Sequence, residues 1–374
     1  MFTKAREIQM ISQNQNSLAT AIRKNVSFVI YRLPGENKTR WMGQNQGDLQ
    51  MAQELPHEPG FVMYPFDAAS TKPVFLKADK QGTLSGSGFD SFVASSAGFK
   101  ENTLNKQPEF IDRKNYLKIL ENALYQVKKN GIQKFIFSRI QNVQPLHSSL
   151  IPVLYEELQA RYPKALVYLF NHPATGLWMG ATPEVFLSKT NNAMITHSLA
   201  GSQPAKLSGS YKWGTKEIEE QDYVTRYIEQ LINTYNLKYA AKGPFTMEAG
   251  PVAHLKTTFE IQTQDEMPVW EFIQHLHPTP AVCGLPKTRA KNFILRTESH
   301  DRDYYTGFTG PVTQSGDFQL FVNLRCMRIT PAGFHIFAGG GITDKSNPRH
   351  EWAETVVKMA TLQNIIEEIR MKNG

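Results

Sequence analysis

The chain has 374 residues, 41% of them hydrophobic and 11% aromatic, enough to bury a large core as one big domain or two. No stretch approaches the roughly 18 uninterrupted apolar residues of a membrane span, and residues 1–25 contain no apolar h-region or small-residue cleavage site, so a soluble cytoplasmic protein is expected. The net charge of +7 is spread along the chain without an arginine-rich run, which fits weak steering of a small anion rather than nucleic-acid binding, and Cys283 and Cys326 are too few for a disulfide framework.

Residues 1 to about 110 mix short strands, expected over 27–31 and 60–64, with polar loops. The serine- and glycine-rich run 84–98 (LSGSGFDSFVASSAG) lacks the spacing and terminal Lys-Ser/Thr of a phosphate loop, so it reads as a plain loop. Over 115–130, Tyr116, Ile119, Leu120, Leu124 and Val127 make one apolar stripe closed by Gly131, which predicts a helix. Residues 133–143 then read as a strand in which Phe135 and Phe137 alternate with Lys134, Ile136 and Ser138. The simpler reading of Lys134 there is the solvent face of a half-buried sheet. A helix over 148–162 precedes three close strands, 165–171, 176–179 and 184–189. Glu184 opens the last of them, where a carboxylate points either into a cavity or into water.

After a strand ending in HSLAGSQP (197–204), the spacing predicts a helix over 215–236 with Val224, Tyr227, Ile228, Leu231 and Tyr235 on one stripe. A strand over 252–261 and a short helix over 270–274 lead to the HPTP turn at 277–280. His277 reads there as a ligand, an acid/base group or, more simply, a structural hydrogen-bonder. Residues 319–329 (QLFVNLRCMRI) alternate as one strand, and Arg325 within it calls for an anionic partner from protein or ligand. Phe334, Ile336 and Ala338 alternate into a glycine turn, Gly339 to Gly341, where backbone can approach a ligand, and a last helix starts near Ser346 to Pro348.

The apolar stripe of that last helix, Leu362, Ile365 and Ile369, runs backwards through Lys358, Glu354 and Glu351, just as the stripe of the 215–236 helix runs back to Glu220 and Glu217. Either helix alone reads as an amphipathic element whose first turn protrudes and complements its dipole. Two Glu-x-x-Glu helix starts brought together supply four oxygen ligands suited to a hard cation, with Mg²⁺ the natural choice.

Nine motifs stand in order: KFIFSR, ATPEVFL, LAGS, EIEEQ, HPTPAVCG, YTGFTG, VNLRC, AGGGI and EWAETVVK. With them the chain resembles the chorismate-utilising enzymes, the family of isochorismate, salicylate, anthranilate and aminodeoxychorismate synthases. The resemblance is strong from Lys134 onward and weak over the first hundred residues. It implies a single α/β (α+β) domain over 1–374, with large antiparallel sheets in a layered core, helices packed outside, a deep cleft, and residues 111–374 as catalytic core. It further implies Mg²⁺ held by Glu220 and Glu354, with Glu217 and Glu351 holding metal waters. Arg325, Tyr305 and the backbone near Gly339 and Gly341 would hold the substrate's carboxylates, Gly201 would be a further substrate-binding position, and Lys358 and His277 would line the same cleft.

Family members that add ammonia to chorismate carry glutamine in place of Lys134, and aminodeoxychorismate synthases carry a nucleophilic lysine in place of Ala200. The resemblance therefore implies water addition, a reversible conversion of chorismate to isochorismate in which Lys134 is the base and Glu184 the acid. Salicylate synthase, which goes on to eliminate pyruvate, is the nearest alternative, and a catalytically silent chorismate-binding subunit another. A monomer is expected, with no glutamine amidotransferase partner and a product that feeds menaquinone, siderophore or salicylate formation. Gln221 and Gly340 depart from the histidine and alanine of many members.

Overall fold

Strand Phe28–Arg32 is buried on both faces, and its alternation shows how the layers are built. Phe28 and Ile30 enter a core with helix residues such as Leu154 and Leu158, while Val29 and Tyr31 enter another with Phe61 and Met63 of strand Gly60–Tyr64. Tyr31 and Phe61 lie with ring centroids 5.3 Å apart although their strands belong to different sheets. Two sheets thus pack face to face, with helices on their outer sides. The computed structural model describes residues 14–45, 54–85, 87–99, 108–206, 209–249, 252–263 and 267–373. Residues 1–13 of the N-terminal stretch and Gly86 of the serine-glycine run lie outside them.

Among the described residues one sheet has nine strands, in spatial order Gly284–Leu285, Lys134–Val143, Gly333–Ile342, Cys326–Thr330, Gly176–Thr182, Leu166–His172, Phe28–Arg32, Arg40–Gly43 and Lys80–Thr83. The other has eight, Lys238–Ala249, Val252–Gln262, Ala193–Pro204, Val185–Thr190, Phe318–Val322, Phe308–Val312, Gly60–Tyr64 and Val74–Lys77. Every neighbouring pair is antiparallel. Strands from the first hundred residues complete one end of both sheets. Helix Pro348–Asn373 lays Leu362, Ile365, Ile366 and Ile369 on Phe334, Ile336 and Ala338 of the first sheet, and helix Thr215–Thr234 lays Val224, Ile228 and Ile232 on the second. No helix among the described residues is long and apolar enough to cross a membrane.

Three local expectations are corrected. The run read as a loop contains helix Gly88–Ser95, because Phe89, Phe92 and Val93 recur at helical spacing and all bury against Trp41 and Phe28. The strand expected over 319–329 is two strands, Phe318–Val322 and Cys326–Thr330, one in each sheet, because the chain turns at Arg325 with φ +47° and crosses the sandwich. The glycines of 339–341 form no turn: they are extended residues of strand Gly333–Ile342, with Gly339 opposite Ser138 and Gly341 opposite Ile136. Other expected elements stand within a few residues of their bounds, whereas strands Lys238–Ala249 and Phe308–Val312 and helix Lys287–Thr297 carried no strong signal.

Candidate active site

The period of two in strand Lys134–Val143 sends Phe135 and Phe137 toward the outer helices and Lys134, Ile136 and Ile140 toward the space between the sheets. Lys134 is 0% exposed, so the solvent-face reading is wrong. Its strand lies inside the sheet, between Gly333–Ile342 and the short Gly284–Leu285, and no face of it meets solvent at that point. Lys134 Nζ lies 2.8 Å from Glu220 Oε1. The angles of this ion pair fall outside hydrogen-bond geometry, which leaves the ammonium without a hydrogen-bond acceptor among the described residues.

Glu220 reaches that position from helix Thr215–Thr234 because residue 341 is glycine. A Cβ there would sit 2.6 Å from Glu220 Oε1 and 3.2 Å from Lys134 Cε. On the neighbouring helix, Lys358 Nζ lies 2.6 Å from Glu354 Oε1 and donates to the Gly339 carbonyl at 2.8 Å. Glu351 Oε1 pairs with Lys216 at 3.0 Å, while its buried Oε2 has no hydrogen-bond partner. Burial pushes the Glu351 carboxyl upward, with Lys216 opposing. Burial is the largest influence on Glu354 and acts to raise it, but Lys358, with Lys216 and His254, together hold that carboxyl below the usual range.

These pieces enclose a cleft with about 740 Å³ of empty space, part of it open to solvent, lined by Glu184, Glu220, Tyr305, Arg325, Gly339, Gly341, Glu354 and Lys358 among others. Glu184 is buried, and burial raises its carboxyl to about 7 against the pull of Lys134, Lys358 and Arg325. Arg325 Nη1 is buried without a hydrogen-bond partner, and burial lowers the guanidinium's pKa. The Tyr305 ring stacks on Phe337 at 5.4 Å. A cationic group with an unsatisfied N–H facing a cleft is a receptor for a ligand carboxylate.

Two expected residues lie elsewhere. Glu217 folds back so that its Oε2 accepts from Gly214 N at 3.1 Å; as the third residue of its helix it serves the helix end and not the cleft. His277 does not line the cleft. Its Nε2 lies 3.0 Å from the Pro65 carbonyl, its ring is packed against Tyr64, Phe186 and Phe308, and burial lowers its pKa to about 3, so it is the structural hydrogen-bonder. Gly201, at φ +68°, lets the chain pass the start of helix Thr215–Thr234, where a Cβ would meet the Glu217 carbonyl at 2.9 Å; its neighbours Ala200 and Ser202 line the cleft.

His254 and Lys216 were not singled out from sequence. His254 lines the cleft with Nδ1 at 3.1 Å from both Ser202 Oγ and the Gly201 carbonyl. The only available signal was a polar residue between Ala253 and Leu255 in a strand that alternates polar and apolar residues elsewhere.

Glu220, Glu351 and Glu354 all approach Gly340 and Gly341: a Cβ on Gly340 would lie 3.1 Å from Glu351 Oε2 and 4.0 Å from Glu354 Oε1. Carboxylate oxygens, one of them unsatisfied, are the donor chemistry of a hard divalent cation. Each carboxylate is meanwhile balanced by a lysine, and no three His, Cys, Asp or Glu side chains among the described residues stand close enough together to hold a metal.

A family model described as chorismate binding enzyme matches residues 87–367. The vibriobactin-specific isochorismate synthase of Vibrio cholerae serotype O1 is 30% identical over 258 residues, which cover 66% of this chain and 65% of that protein, just under two thirds of its length. The structure of MenF, the menaquinone-specific isochorismate synthase from Escherichia coli, is similar with a TM-score of 0.76 at 17% identity, over 93% of this chain and 90% of that one. Anthranilate synthase component I from Streptococcus pneumoniae TIGR4 is similar with a TM-score of 0.64 at 16% identity, over 90% and 92%. At these identities the structural likeness speaks for the fold, and the family match, which spans more than half of the chain, speaks for membership. The chain belongs to the chorismate-binding enzyme family.

Proposed function

We propose that this protein is an isochorismate synthase, an isomerase that converts chorismate to isochorismate. The observation that carries the reading is a fully buried lysine, Lys134, set against Glu220 and Gly341 in the wall of a cleft that is also lined by Glu184, a carboxyl that burial raises to about 7. Water addition needs such a pair, a base on one side of a ring and a proton donor on the other.

In this reading Arg325 and Tyr305 bind the substrate's carboxylates, with the backbone near Gly339 and Gly341 closing over them. Lys134 takes a proton from water as its oxygen bonds to C2, both ring double bonds shift along the conjugated diene, and the C4–O bond breaks. Glu184 gives its proton to the departing oxygen, which leaves as water. One water enters and one leaves, so the conversion is reversible. Arg325 and Tyr305 align attack and departure by fixing the ring.

Glu220 and Glu354 would hold Mg²⁺ with a substrate carboxylate and waters completing its shell, because no ready-made site of three protein ligands exists among the described residues. Such an ion would neutralise a substrate carboxylate. No ammonia is consumed, so no glutamine amidotransferase is called for, and we read the enzyme as a cytoplasmic monomer. The test is to incubate the protein with chorismate and Mg²⁺, separate the products and assay pyruvate. Isochorismate without stoichiometric pyruvate supports the reading. Salicylate and pyruvate in equal amounts would make it a salicylate synthase, and bound but unchanged chorismate a silent subunit.

A further inference from the structure

Strand Lys134–Val143 has a full partner on one side, Gly333–Ile342, but on the other only the two-residue strand Gly284–Leu285. That ladder reaches Lys134 and Phe135 and, through the Cys283 carbonyl, the Ile136 amide. Beyond it the edge is carried by side chains. Arg302 Nη2 donates to the Ile136 carbonyl at 2.9 Å, and the Ser138 amide donates to Glu298 Oε1 at 2.7 Å. Arg302 and Glu298 are themselves a fork-to-fork pair, at 2.7 Å and 2.6 Å, with side chains only 2% exposed. From the same guanidinium, Nη1 donates to the Val282 carbonyl at 2.9 Å and to Thr306 Oγ1 at 3.2 Å.

Ile136, Val282 and Thr306 all line the cleft, whereas Arg302 and Glu298 do not. One ion pair therefore ties the strand of Lys134 to the residue next to Tyr305 and to the wall at Val282. The full set of hydrogen bonds is what makes so deeply buried a charge pair tolerable. A slip of one residue in this strand would turn Lys134 away from the cleft.

We infer that the Arg302–Glu298 pair is a positioning device that stands in for the missing edge strand and sets Lys134 against the substrate anchors. The inference rests on the proposed function and deepens it. Because the pair touches no ligand, its loss disturbs the alignment of base and ring more than the grip on the ring.

The test uses Arg302→Lys and the neutral double variant Arg302→Met with Glu298→Leu, which leaves no unpaired charge behind. Three readouts are compared with the unmodified protein: kcat and KM for chorismate, the stoichiometry of chorismate binding, and hydrogen exchange of the peptide covering 134–143. The expected result is full binding stoichiometry, KM within about threefold, kcat lower by about tenfold or more, and faster exchange at Ser138. Unchanged kcat and unchanged exchange in both variants would overturn it, as would a loss confined to the fraction of protein that binds. If the unmodified protein does not turn chorismate over, the functional reading fails by itself. Exchange at Ser138 then still decides whether the pair acts as an edge strand.

Discussion

Lys134 Nζ stands 2.8 Å from Glu220 Oε1, with Gly341 beneath both. A lysine on an inner strand, a glutamate on an outer helix and a glycine on the adjacent strand meet only because the two sheets and the helix layer converge at this end of the sandwich. Whatever engages Glu220 therefore acts at the place where Lys134 sits.

Replacing Lys134 by alanine removes the proposed base and leaves Glu220 without its cation. The expected outcome is a fall in kcat of about 10²- to 10⁴-fold with chorismate binding retained, checked by steady-state kinetics and calorimetric titration. Near-normal turnover would remove Lys134 from the mechanism.

Glu184 yields two pH predictions. As the acid it must be protonated, so the rate should fall as pH rises through about 7, and this limb should vanish with the residual activity of Glu184→Gln. Its folded pKa lies above its unfolded value of 4.5, so the folded state holds the proton longer and stability is lost as pH rises between 4.5 and about 7. Thermal unfolding of Glu184→Gln should accordingly depend less on pH over that window than that of the unmodified protein.

Gly341→Ala should force the Glu220 carboxylate aside, since the new Cβ would lie 2.6 Å from Oε1, the movable end of a side chain. Activity is expected to drop about tenfold or more while Tm moves little, because no backbone has to shift. Kinetics and a melting curve on the same sample separate the two effects.

Metal binding should depend on Glu354 and Glu220. Titration with Mg²⁺ or Mn²⁺ in the presence of chorismate should show saturable binding that Glu354→Ala abolishes, whereas Glu217→Ala, which removes only a cap, should keep it and lose roughly 1 kcal/mol of stability. Equal metal affinity in the Glu354→Ala protein would contradict the assignment.

Phe89 anchors helix Gly88–Ser95. With its side chain fully buried against Trp41 and Phe28, Phe89→Ala is expected to cost about 3–5 kcal/mol in denaturant unfolding.

Much of the fold and site is legible in the sequence. Helical periodicity carried Glu220, Glu351 and Glu354 to the inner faces of their helices, since a stripe traced backwards by threes and fours does not depend on what it packs against. Glu217 shares that spacing, yet its place in the first turn let a backbone amide claim its carboxylate, a local competition that periodicity does not register. Lys134 was ambiguous because alternation defines two faces without saying which is wet; only the second sheet decides that. The split at Arg325 turned on a positive φ at a non-glycine residue, which no composition signal marks. His254 and the Arg302–Glu298 pair depend on contacts between residues far apart in the chain, so they became visible only once the sheets were assembled.

The most direct measurement of the central claim is to run the reaction in H₂¹⁸O with Mg²⁺ and analyse isochorismate by mass spectrometry well before equilibrium. Solvent attack at C2 predicts one ¹⁸O per product molecule, located at the C2 hydroxyl, and no such product from the Lys134→Ala protein. Unlabelled isochorismate, or labelled product formed as fast without Lys134, would contradict it.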